Sequence, residues 1–195
     1  MITHENFKGL ENLIIASLIS CGDVTSFKDE NYTLEVPFEK DKSFYLSNYL
    51  KHNGLYDFVL VEPTKGQFKI PPNTYLNKLV HQWYQDGNKI FSKKLDPKLL
   101  NYHSIILCIN LFGSRKIEGI SVPTNVDKRF LRTITYCIEK CIHVSVIPGR
   151  GQIKIPDVPN LFIDNVEEIN AIDSTELANY LTNQEINKLI FRVST

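Results

Sequence analysis

Leu-Ile-Ile-Ala-Ser-Leu-Ile-Ser-Cys-Gly (residues 13–22) and Ile-Ile-Leu-Cys-Ile-Asn-Leu-Phe-Gly (residues 105–113) decide the fold. Each is a run of apolar and small residues without a charge, and each stops at a glycine. A helix that is apolar all round has to be buried on every side. In a chain of 195 residues the economical way to bury two such helices is against each other. Ala16 and Ser20, four apart, share one helix face and would let two backbones approach closely. Gly22 and Gly113 stand where a left-handed C-terminal cap costs least. The expectation is a central helix pair with its two glycine-ended tips side by side.

Outward from that pair the chain repeats itself. The first helix spans 3–21, with Thr3 as its N-cap, and strands follow at 24–27 and 32–38 around a turn at 28–31. Tyr32, Leu34 and Val36 alternate with Thr33 and Glu35, so one sheet face is buried and the other is wet. An amphipathic helix over 40–52, through Phe44, Tyr45, Tyr49 and Leu50, leads to a hairpin of 57–61 with 67–70 and a helix over 74–85. The second central helix is expected over 98–112, with Asp96 as N-cap and Pro97 at the first turn. After it come extended residues 115–124, a helix over 127–142, a hairpin of 143–147 with 152–155 around Pro148-Gly149-Arg150-Gly151, and a short helix over 160–168. Helix, strands, helix, hairpin, helix thus occurs twice, a duplication read from pattern alone. Ser174-Thr175-Glu176 and the capping box Thr182-Asn183-Gln184-Glu185 open two further short amphipathic helices. They are expected to pack on the domain, with docking on a partner as the alternative.

The residues leading into and out of the second helix carry a family resemblance. Trp83-Tyr84-Gln85-Asp86-Gly87-Asn88-Lys89, then Leu95-Asp96-Pro97, then Gly113-Ser114-Arg115-Lys116 and Thr124-Asn125 follow in order. This order resembles the second half of the LAGLIDADG homing endonucleases in their monomeric, two-motif form, and the likeness covers residues 10–166. It implies an α+β fold of two pseudo-symmetric αββαββα halves (1–95 and 96–170) packed through the paired motif helices, with a saddle-shaped antiparallel sheet and a C-terminal helical extension at 171–195. The family places an acid just before each terminal glycine, where two carboxylates hold divalent metal against the scissile phosphates. Here those positions hold Cys21 and Phe112. Hard cations need oxygen ligands, phenylalanine ligates nothing, and a thiolate suits softer metals. Asp23 reaches the acid position only by sliding the alignment, which takes Ala16 and Ser20 out of the helix-contact register. The expectation is therefore no catalytic residue, no metal and no cofactor.

Composition narrows the partners. Twenty-two basic and twenty-two acidic residues cancel, whereas nucleic-acid backbone contacts normally demand a basic excess. The cancellation is uneven. Residues 115–154 hold eight bases against three acids, and residues 155–195 hold two bases against seven acids. Hydrophobic residues make up 43% of the chain, enough for a full core. Cys21, Cys108, Cys137 and Cys141 show no metal-site spacing and read as free thiols of a reducing compartment. No apolar run is long enough for a membrane span, and the first residues do not look like a presequence. No phosphate-cradling loop, dinucleotide fingerprint or nucleophile triad is legible, and no small-molecule substrate is expected.

The resemblance implies that the open sheet face lies on nucleic acid. The contact candidates on strands and hairpins are Lys28, Lys65, Lys69, Arg115, Lys116, Arg150 and Lys154, with Tyr32 and Phe68 as stacking platforms for RNA. The tip around Arg150 is the foremost of them, since its glycines admit a phosphate that the guanidinium can hold bidentately; Lys93 and Lys94 sit in a linker. The reading favoured is a nuclease-dead relative that binds structured RNA within an organellar RNA–protein assembly, a mitochondrial ribosome component or a splicing or maturation factor; the Asn, Lys and Ile abundance suggests an A+T-rich genome, and the resemblance implies an organelle, a mitochondrion foremost, as the place where the protein is encoded or works. An active DNA endonuclease using Asp23 and a pure protein-interaction subunit remain as alternatives.

Overall fold

The computed structural model describes residues 4–27, 31–90 and 100–193. Helix α1 (His4–Ile19) runs into strand β1 (Asp23–Phe27), which pairs with β2 (Asn31–Pro37). A 3-10 turn (Lys40–Lys42) leads to α2 (Ser43–His52), then β3 (Leu60–Glu62), β4 (Gln67–Ile70) and α3 (Thr74–Trp83). A short ribbon, β5 (Tyr84–Gln85) with β6 (Asn88–Lys89), follows. The second central helix is α4 (Tyr102–Phe112), succeeded by β7 (Ser114–Lys116), β8 (Gly119–Pro123), α5 (Lys128–Ile142), β9 (Ile147–Gly149), β10 (Gln152–Ile155) and α6 (Val158–Asn165). Two more helices, α7 (Ala171–Ala178) and α8 (Asn183–Val193), complete it.

The two halves build sheets of identical topology, β1-β2-β4-β3 and β7-β8-β10-β9, antiparallel throughout. In each, alternation sends one set of side chains into a common core. Leu34, Val36, Phe68 and Ile70 point inward from the first sheet, and Ile120, Val122, Ile153 and Ile155 from the second. Between them lie α1 and α4, which pack on each other more extensively than any other helix pair. Every residue of 13–20 and of 104–112 is buried. The expected α+β architecture with its central helix pair and C-terminal helices is the one observed. The halves' exact limits at residue 95 fall outside the described residues, as do Thr3, the turn at 28–30, Lys93, Lys94, Asp96 and Pro97.

Several local expectations are corrected. Gly22 and Gly113 do not adopt a left-handed conformation: neither has positive φ, and Gly113 is extended at φ −71°, ψ 147°. They are glycines for want of space. A Cβ on Gly22 would stand 2.7 Å from the Ser17 carbonyl oxygen, and one on Gly113 2.3 Å from that of Ile109. Helix α4 begins at Tyr102, because the Asn101 side chain accepts from the Ser104 amide (2.9 Å) and caps it there. Helix α3 stops at Trp83 and not at Gln85, because Asp86 and Gly87 both take positive φ (52° and 74°), the pairing that closes a two-residue hairpin. In α2 the buried face is Tyr45, Leu46, Tyr49 and Leu50, leaving Phe44 exposed.

The second half has its own shifts. Left-handed His143 ends α5, so residues 143–146 form no strand; Pro148 and Gly149 belong to the edge strand β9, where a missing amide is tolerated. Asp157 caps α6 and starts it at Val158, ahead of the expected 160. Asn170, not Ser174, caps α7. The capping box at Thr182 and Glu185 is present, each side chain bonding the other's amide (3.3 and 2.8 Å). Both C-terminal helices pack on the domain, α7 against α2, α4 and α6, and α8 against α6. Among the described residues no helix is long and apolar enough to cross a membrane.

Candidate functional site: the helix tips and the open sheet faces

The C-terminal ends of α1 and α4 meet, as the two apolar runs suggest. Ser20 and Cys21 from one and Phe112 from the other wall a notch of about 260 Å³, completed by Pro37, Phe38, Glu39 and Pro123. Carbonyl groups at a helix end lack intrahelical partners and carry the negative end of the helix dipole. At both tips a buried lysine answers them.

At the α1 tip the group is Lys89, 5% exposed. Its ammonium donates to the Ser20 carbonyl (3.2 Å), the Gly22 carbonyl and the Asn125 side-chain oxygen. The Asp86-Gly87 turn delivers it there, by folding β6 back along β5. Burial pushes its pKa down to about 8, against the opposing pull of Asp23, Cys21 and Cys108. The same tip is sewn to the second half by three further bonds: Ser20 Oγ donates to the Pro123 carbonyl (2.9 Å), Thr124 Oγ1 to that of Ile19 (2.6 Å), and the Asn125 amide to that of Ser20 (3.4 Å).

At the α4 tip the C-terminal extension does the work. The Tyr180 hydroxyl lies 2.8 Å from the Ile109 carbonyl, 3.3 Å from that of Asn110 and 2.9 Å from that of Gly113. It accepts in turn from Lys42 Nζ at 3.0 Å, whose ammonium also pairs with Glu176 at 2.6 Å. Lys42 is 8% exposed and sits 4.7 Å from the Tyr180 ring centroid. Lys42 and Lys89 are the two lysines buried among the described residues.

This donor set does not suit a hard divalent cation, which takes several oxygen ligands, carboxylates foremost. The Ser20 and Gly22 carbonyls are already engaged by an ammonium. Asp23 accepts from the Tyr84 hydroxyl (2.6 Å) and its neighbour's amide (2.9 Å), and burial together with Asp23 raises that phenol's pKa. Burial also raises the Cys21 thiol, more than Lys89 beside it lowers it, which keeps the sulfur protonated and a poor ligand. Among the described residues no three His, Cys, Asp or Glu gather as a metal site.

The strand registers sort the nucleic-acid candidates by face. On the first sheet Asp23, Glu35 and Lys69 stand across from one another, with Glu62 and Gln67 one pair further along. Lys69 pairs with Glu35 (2.9 Å), and Lys65 in the turn pairs with Glu62 (2.8 Å). On the second sheet Lys116, Gly119, Ser121, Gln152 and Lys154 share the open face. Lys154 reaches Glu118 at 3.1 Å; Arg150 and Lys116 are exposed and have no ion pair among the described residues. Arg115 is the exception to the expected placement: it lies opposite Ile120, on the inward side, and pairs with Glu185 of α8 at 2.9 Å. Lys28 lies outside the described residues. Phe68 is fully buried and Tyr32 packs edge-on to His81 against the core, so neither is a stacking platform; both share the inward parity of Leu34.

Lys89, Lys42 and Tyr180 close the helix tips of the candidate site, and sequence reasoning missed them. Asp-Gly is a strong hairpin signal and could have separated Lys89 from the preceding helix. Nothing in the sequence marks Lys42 or Tyr180, whose partners are more than 60 residues away.

No family model and no curated protein matches the sequence. Among solved structures, the homing endonuclease I-WcaI bound to its DNA recognition sequence is similar with a TM-score of 0.55 at 14% identity, over 93% of this chain and 86% of that one. The chain has the fold of a homing endonuclease.

Proposed function

We propose that this protein keeps a homing-endonuclease scaffold of LAGLIDADG type for holding nucleic acid, without the cutting chemistry. Its target on this reading is structured RNA in an organellar RNA–protein assembly, a mitochondrial ribosome component or a splicing or maturation factor. One observation carries the loss of cutting: the ammonium of Lys89 occupies the oxygen donors at the α1 tip, where metal-assisted phosphate hydrolysis needs a cation held by carboxylates. On this reading the internal positive charge satisfies the helix end in place of a bound cation.

Support for an assembly comes from charge. A net charge of zero gives weak backbone affinity on its own, and several basic side chains of the strands are already paired with carboxylates. Such a chain binds RNA usefully when protein neighbours share the contacts. The experiment is direct: incubate the purified chain with organellar RNA and with DNA target libraries, with and without magnesium. Salt-sensitive RNA binding and no strand cleavage are expected. Magnesium-dependent double-strand cleavage abolished by Asp23→Asn would overturn the reading, and so would a native complex containing protein partners but no RNA.

A further inference from the structure

The two sheets do not offer equivalent surfaces, and we propose that the second sheet alone is the nucleic-acid site and takes a short single-stranded RNA segment, one unpaired base seated in the notch over Gly119. The inference rests on the RNA-binding reading above and narrows it to one face and one class of strand.

Charge decides the face. The open side of the first sheet carries Asp23, Glu35 and Glu62 against Lys69, with Lys65 in the adjoining turn already paired to Glu62. A phosphate there would meet more carboxylates than ammoniums. Among the described residues the second sheet carries Lys116 and Lys154, with Arg150 at the β9–β10 turn, against Glu118. The Glu118–Lys154 pair is exposed, and pairs of that kind are weak and screened by salt, so a phosphate can displace the carboxylate. From Arg150 to Lys154 the track spans roughly 13 Å at strand spacing, room for a few nucleotides only.

Shape decides the strand class. Lys116, Ile117, Glu118, Gly119, Ser121, Gln152 and Lys154 line a concavity of about 390 Å³. Gly119 lies where β8 crosses close to the end of β10. Gly119 has φ +121°, and a Cβ there would sit 2.2 Å from the Ile155 carbonyl oxygen. Ile117 at the hairpin tip is fully exposed, an apolar wall for the face of a base. Across the concavity the Ser121 hydroxyl donates to Gln152 Oε1 (2.5 Å), which fixes the Gln152 side chain at the rim of the recess. A base stacked inside a duplex cannot enter such a recess; an unstacked one can, with its edge on Gln152 and its phosphates on the two lysines.

The test uses the full chain and a labelled eight-nucleotide single-stranded RNA of mixed sequence, competed by the same sequence as a duplex. Lys116→Glu with Lys154→Glu should weaken binding at least tenfold and flatten its salt dependence, while Lys65→Glu with Lys69→Glu should change it less than twofold. Gln152→Ala should weaken the single strand severalfold and leave duplex competition unchanged. Thermal melts of each variant establish that it is folded. Equal losses from both double variants, or a duplex that competes better than the single strand, overturn this inference and leave the broader RNA reading standing. No binding of any RNA by the unmodified chain overturns both.

Discussion

The two four-stranded sheets share strand order, antiparallel pairing and a buried face of branched apolar residues, and they differ on the side turned to solvent. The first presents Asp23, Glu35 and Glu62, and the second Lys116, Lys154 and the Arg150 turn. Duplication fixes the inward face, because both halves pack on the same helix pair and tolerate only apolar side chains there. The outward face is bound by no such constraint. It records what each half touches, and here the records disagree. The difference extends to the helix tips: Lys89 closes the tip of α1 with three oxygens, whereas Lys42 closes the tip of α4 through the Tyr180 hydroxyl of the C-terminal extension.

The comparison breaks hardest at glycine. Gly119→Ala puts a Cβ 2.2 Å from a backbone oxygen at φ +121°, so β8 or β10 must move; a loss of about 4 kcal/mol is expected. Gly66→Ala, in the β3–β4 turn of the first sheet, meets the Phe38 carbonyl at 2.9 Å with φ +65° and should cost about 2 kcal/mol. Urea melts of the two variants measure the gap. Equal losses would mean that the end of β10 yields to a Cβ at residue 119 as readily as the Phe38 carbonyl yields to one at residue 66.

Lys89 joins the halves rather than distinguishing them, since its partners are Ser20 and Gly22 before β1 and Asn125 after β8. Lys89→Met orphans acceptors on both sides and also removes the burial cost of a charge; a net loss of about 2 kcal/mol at pH 7 is expected. Its pH signature is separable. The folded chain releases this proton near 8, and the unfolded chain near the ordinary 10.5. Between those values the unfolded state binds more protons, so stability rises with pH, by up to about 3 kcal/mol from this group. Below 8 the contribution is flat. Melting curves from pH 7 to 10.5 should show a rise relative to Lys89→Met; parallel curves would mean that the ammonium is not the buried species.

The uneven legibility of the sequence follows from which forces are periodic. Alternation at Tyr32, Leu34 and Val36 and the charge-free runs at 13–22 and 105–113 report burial directly, and from them the helix pair and both sheets can be read. Capping is local and shifted boundaries without changing elements: Asn101 and Asp157 accept from the amides three residues on and moved two helix starts. The tips were opaque because their chemistry is a matter of distant acceptors. Lys42 reads as one charge in a polar turn, and its partner Glu176 lies 134 residues away. The same opacity hid Arg115, whose parity on β7 sends it inward to Glu185 although its neighbour Lys116 faces out.

The smallest effect asks the sharpest question about the two faces. Glu35→Gln removes the carboxylate that holds Lys69 at 2.9 Å; both side chains are substantially exposed, so stability should change by less than about 0.5 kcal/mol. What it tests is whether charge alone excludes RNA from the first sheet. If charge is the reason, the freed ammonium recruits a phosphate and the slope of log affinity against log salt steepens by up to about 0.7 for a single strand. An unchanged slope would mean that shape, and not charge, keeps a bound strand out of reach of Lys69. Because folding is nearly untouched, any change in slope belongs to the surface, and the variant separates the two reasons that one half of the molecule would bind where the other does not.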